Sequence, residues 1–156
     1  KKKIIKKEKE RKDLSKSHIK KTDYNLDFIN HLLEEERFYD WIIIGCYYTI
    51  YQASLSLLAI KGYSSKSHLA TLCSLIYFFY SPPNEAKLDK EDIELIVESS
   101  LEKQEVSYFV EAKDKRETAS YGISDEFNKN EAENLRLKSI RFVNKAKEIM
   151  DLLGTE

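Results

Sequence analysis

Residues 41–60, WIIIGCYYTIYQASLSLLAI, run for twenty positions without a charged side chain in a chain that is 34% charged. Such a run must be hidden from water over most of its surface, so the amphipathic segments around it are expected to be its cover. It predicts a central helix over about residues 38–61, ended by Gly62, whose permissive backbone suits a helix C-terminus. The run of twenty also meets the length rule for a membrane span. Against a span stand the polar atoms of Tyr47, Tyr48, Tyr51, Gln52, Ser54 and Ser56, which lipid cannot partner. The expectation is therefore the buried axis of a cytoplasmic helical domain with no membrane partner.

The remaining segments are read as the cover. A first helix leads out of the lysine-rich N-terminus to about Arg37, its apolar periodicity clear only from Asp23 onward. A third starts at Ser65 or Ser67 and includes HLATLCSLIYFFY, stopped by Ser81-Pro82-Pro83. A fourth covers about residues 90–120, with Val106, Tyr108, Phe109 and Ala112 among the inner positions and residues 106–110 read as helix or a short break. The sequence SYGIS at 120–124 reads as a turn. A last helix spans about residues 125–153, with Ala132, Leu135, Ser139, Phe142, Val143, Ala146 and Ile149 on one face. Four glycines and two prolines in 156 residues leave little punctuation for strands, so the fold class is all-α, an antiparallel four-helix up-down bundle with a short additional helix.

Charge is unevenly placed. Residues 1–21 hold eleven Lys/Arg against three Asp/Glu, a net of +8, and the rest hold 15 against 24, a net of −9. The chain divides accordingly into a basic N-terminal arm or helix start (1–22) and a helical bundle (23–156). Such an arm suits RNA, anionic lipid or an acidic partner surface, or is simply a solvated, frayed helix start. Cys46 and Cys73 both fall in apolar runs and are expected to be buried free thiols. Within the central run, Gly45, Thr49, Ala53 and Ser56 make a stripe of small side chains for close helix packing, within the chain or at a dimer seam.

Enzymatic signatures are sparse. There is no glycine-rich phosphate loop, CxxC or HExxH, and His31 with Glu35 is the one ligand-like spacing, read as surface electrostatics. No metal and no cofactor are expected. His68, at the start of the third helix, reads as a capping or packing residue.

The order DWIIIGCYYTIYQASLSLLAIKGYSSKSHLATL, RETASY and RFVNKAKEIMDLL resembles HEPN domains, the nucleotide-binding domains of higher eukaryotes and prokaryotes, over roughly residues 25–153. Gly62 with Ser67-His68 resembles a junction in one prokaryotic branch, and Arg116 with Ala119 and Tyr121 resembles its Arg-x-x-Ala-Asp-Tyr motif. The resemblance implies a homodimeric helical bundle. It also implies either a toxin ribonuclease encoded beside a minimal nucleotidyltransferase or a noncatalytic RNA- or nucleotide-binding relative in a toxin-antitoxin-like system. Such ribonucleases use an arginine followed four to six residues later by a histidine. Here the arginine is Arg116, Tyr121 stands where the histidine is expected, Glu117 follows the arginine, and Ser120 replaces an aspartate.

Tyrosine titrates near pH ~10 and is a poor proton acceptor at neutral pH. The leading expectation is thus a noncatalytic or weakly active domain that binds nucleotide, RNA or a nucleotidyltransferase around Arg116, Glu117, Ser120 and Tyr121. The first alternative is a metal-independent toxin endoribonuclease using Arg116 and Tyr121. The second is a structural adaptor for protein assembly. Five helical residues rotate a side chain by about 140°, so Arg116 and Tyr121 share a site only at a helix end or across a two-fold. Outside a site, Arg116 would pair with Glu111, Asp114 or Glu117 and Tyr121 would be a core-edge aromatic.

Overall fold

A computed structural model describes residues 5–7, 9, 11–80, 103–122 and 127–154. Among them are five helices: α1 (Lys12–Glu34), α2 (Tyr39–Ile60), α3 (His68–Leu75), α4 (Lys103–Tyr121) and α5 (Lys129–Gly154). The fold is all-α. Helix α2 is the axis, packed against α1, α5, α4 and α3 in decreasing extent. One π-helical turn, Ile76–Tyr80, extends α3. A short strand β1 (Ile5–Lys7) pairs antiparallel with β2 (Tyr63–Ser65), placing Ile5 opposite Ser65 and Lys7 opposite Tyr63.

The charge-free run is buried by its own chain. Helix α2 is long and apolar enough to cross a membrane by length and composition, and 67% of its most apolar window is covered by the other elements. Four of the polar side chains in the run find partners inside the chain. Ser54 and Thr49 donate to carbonyls one turn back, Gln52 bonds His18 at 2.8 Å, and Ser56 meets Ser15 at 2.9 Å. Burial of these groups is tolerable because each is hydrogen-bonded.

The small-residue stripe is an intrachain seam with α1. Along the antiparallel pair, Ser15 meets Ser56, His18 meets Gln52, and Ile29 packs over Gly45. A Cβ added at Gly45 would lie 2.9 Å from Cγ1 of Ile29, so glycine is what lets the two helices approach this closely.

Helix ends follow local chemistry. Between the two serines offered for the start of α3, Ser67 is the cap, its hydroxyl accepting the Ala70 N–H, while Ser65 lies in β2. Gly62 has φ 75°, as a C-terminal glycine should. Helix α1 stops at Glu34, short of Arg37, because the turn into α2 puts Glu36 and Phe38 at φ 52° and 59°. Helix α5 starts at Lys129, later than residue 125. Its cap is a reciprocal box in which Asn128 Oδ1 accepts the Glu131 N–H and the Glu131 carboxylate accepts the Asn128 N–H, each at 3.1 Å.

Other expectations hold in part. Of the two readings of residues 106–110 the helix is the one observed, since Tyr108, Phe109 and Ala112 turn inward together. Helix α4 continues through Ser120 and Tyr121, and Gly122 N–H still reaches Thr118 O at 2.8 Å; the rest of the supposed turn, like the proline stop, lies outside the described residues. The first turns of the basic segment are ordinary helix from Lys12, so α1 runs uninterrupted across the 22/23 boundary. Cys46 is buried as expected, but Cys73 is exposed. Apolar neighbours in sequence do not fix the side a residue faces, and Cys73 is on the outward side of α3 with Leu69 and Tyr77.

Candidate functional site

The chemistry-bearing residues gather where α2, α3 and α4 meet. Helix α2 contributes Tyr47 and Tyr51, one turn apart, with rings stacked at 6.1 Å and 11°. The cap at Ser67 fixes the start of α3 and so delivers His68 onto them, its ring 4.3 Å from that of Tyr51. Tyr47 and His68 share a short hydrogen bond between the phenolic oxygen and Nδ1. From the other side α4 brings Arg116, whose guanidinium carbon is 5.3 Å above the Tyr47 ring.

Burial sets the electrostatics. It raises the Tyr47 phenol well above the usual tyrosine range, against the pull of Arg116. It lowers the His68 pKa, and the Arg116 and Lys113 cations lower it further while Glu117 opposes them. A protonated phenol beside a neutral imidazole favours Tyr47 O–H donating to Nδ1, which puts the ring proton on Nε2 and makes that nitrogen a donor. Glu117 is held ionised by its hydrogen bond and ion pair with Lys113 at 2.9 Å.

Arg116 Nε is buried and has no hydrogen-bond partner. An unpaired buried donor on a cation is costly, and an acceptor oxygen from a ligand would satisfy it. The Arg116–Glu117 ion pair anticipated from sequence does not form, since Glu117 is taken by Lys113.

Helical spacing puts Lys113, Arg116, Glu117 and Ser120 within about 100° of one another on α4. Tyr121 lies about 140° from Arg116 on the same unbroken helix, and it is 78% exposed. A single copy of the chain therefore does not bring Arg116 and Tyr121 together. It brings Arg116 to His68, Tyr47 and Tyr51, a grouping that sequence reasoning missed because it requires three helices to cross. The available signals were Tyr47 and Tyr51 one turn apart in a core helix, and a histidine directly after a cap serine.

Among the described residues no group of three or more His, Cys, Asp or Glu could hold a metal ion. His31 is exposed at the end of α1, and Glu35 pairs with Arg37 at 3.3 Å. A scan against protein-family models finds no match for this chain. A search of curated proteins also finds no similar sequence.

Proposed function

We propose that this domain is a HEPN-like, noncatalytic or weakly active bundle that binds a phosphate-bearing ligand, a nucleotide or RNA, through Arg116. The observation that carries the reading is the buried, unpartnered Arg116 Nε, set over Tyr47 beside His68 and Lys113. A guanidinium with an unfilled donor, held by an aromatic face, is suited to a phosphate oxygen, while half-buried Tyr51 is the ring of the pair left for a base, Tyr47 being fully buried. Homodimerisation and pairing with a minimal nucleotidyltransferase, as in toxin-antitoxin-like systems, belong to the same proposal. A second copy is also the route by which Tyr121 would join Arg116.

Titration of the protein with fluorescent AMP, ATP and a short RNA tests this. Binding should weaken by ten-fold or more in Arg116→Ala and be partly kept in Arg116→Lys, a loss typical of a charge-assisted bond. Equal affinity in Arg116→Ala, or no binding by the parent, sinks the reading and leaves the assembly adaptor.

A second reading is favoured by one observation, the placement of His68 beside Arg116. A metal-independent endoribonuclease needs a cation for the phosphate and a group that moves protons; Arg116 is such a cation, and His68, with Nδ1 taken by Tyr47, carries its proton on Nε2 and could give it to the leaving 5′-oxygen. The histidine absent from the Arg116 helix would then be supplied from α3. RNA cleavage in the presence of a chelator, lost in both Arg116→Ala and His68→Ala, would select this reading over the noncatalytic one.

A further inference from the structure

We propose that the exposed face of α1 is a track for single-stranded nucleic acid. Lys12, Lys16 and Lys20 follow one another at four-residue steps on the outward side of the helix, and Lys21 flanks them. The same steps continue to Tyr24 and Phe28, which are 65% and 45% exposed although the opposite face of α1 is buried in the core. Successive side chains are therefore about 6 Å apart over roughly 24 Å, with cations at one end and open rings at the other. The β1 lysines Lys6 and Lys7, together with Lys9, are exposed just ahead of the helix and extend the positive end.

This sequence of groups matches the two needs of a single strand, cations that follow the phosphates and aromatic faces on which bases stack irrespective of sequence. Lys21 Nζ already lies 4.3 Å over one face of the Tyr24 ring, leaving the other for a base. The acids on this side are Asp13 and Asp27, and Asp23 is engaged by Lys147 at 2.8 Å. The net field is positive over the first half of the helix, where the helix dipole adds to it.

An anionic membrane is less well served. Interfacial helices insert a continuous apolar face, whereas the apolar face of α1, with Ile29 at its centre, is packed on α2. Two isolated aromatics are what remains outside. The track lies on a different element from the Arg116 cluster, and the two readings stand or fall separately.

The test is fluorescence anisotropy with labelled twelve-nucleotide oligo(U) and oligo(A) across a salt series, alongside cosedimentation with phosphatidylserine-containing vesicles. Lys16→Gln with Lys20→Gln should lower the log–log salt slope by about 1.4, two phosphate contacts on a single strand. Tyr24→Ala with Phe28→Ala should weaken binding about ten-fold or more at unchanged slope. Arg116→Ala should leave both effects in place. No oligonucleotide binding, or binding insensitive to all four substitutions, overturns the proposal. Vesicle binding that depends on the same four residues, with oligonucleotide binding that does not, overturns it in favour of a membrane contact.

Discussion

The guanidinium carbon of Arg116 lies 5.3 Å over the ring of Tyr47, and the hydroxyl of that ring is bonded to His68. One aromatic side chain thus links a permanent cation to a titratable imidazole, so a change at one should be measurable at the other.

His68 is expected to titrate below about 6.5, the ordinary histidine value, because burial and then Arg116 and Lys113 disfavour its charged form. The unfolded chain takes up this proton at about 6.5 and the folded chain only at lower pH. The contribution to stability is therefore complete above about 6.5 and shrinks as pH falls through that value toward the lowered one. Urea melts between pH 7.5 and 5 should show this decline, and His68→Gln should flatten it. An imidazole NMR titration of Arg116→Met should move His68 back upward; an unchanged midpoint would mean that the cation does not act on it.

Gly45→Ala should be destabilising by about 1 kcal/mol or more, even though alanine is intrinsically better in a helix by about the same amount. The added Cβ meets Cγ1 of Ile29 at 2.9 Å, and that side chain is fully buried with nowhere to retreat. In an Ile29→Ala background, which removes Cγ1, the same substitution should become neutral or stabilising. A double-mutant cycle by chemical denaturation gives the coupling directly, and additive effects would refute the close contact.

Thiol chemistry should separate the two cysteines. Burial pushes the Cys46 thiol up to about 12, so it is both inaccessible and protonated at neutral pH. Cys73 is exposed on α3. A chromogenic disulfide reagent should modify one thiol in the native protein and two in denaturant, with the fast reaction lost in Cys73→Ser. Two equally slow thiols would place the outward side of α3 against another surface.

The central helix and its glycine stop were legible because each is a one-dimensional signal, a run without charge and a residue suited to positive φ. The small stripe at Gly45, Thr49, Ala53 and Ser56 was also legible as packing, though its partner helix was not. Cys73 misled because its neighbours are apolar and the period of a thirteen-residue apolar segment is too indistinct to give it a side. At the candidate site, Arg116 was found through a motif likeness within one helix. Its neighbours Tyr47, Tyr51 and His68 belong to two other helices, and only the angle at which α2, α3 and α4 cross brings them together.

The ribbon of β1 and β2 ties the ends of this arrangement together. Lys7 is fastened opposite Tyr63 and Ile5 opposite Ser65, and Ser65 is two residues before the serine that seats α3 and three before His68. Downstream, the same strand β1 runs toward the lysines at the head of α1. Three paired residues of backbone thus join the basic N-terminal segment to the stretch that seats α3, so the lysines of β1 and the imidazole of His68 are anchored to one ribbon.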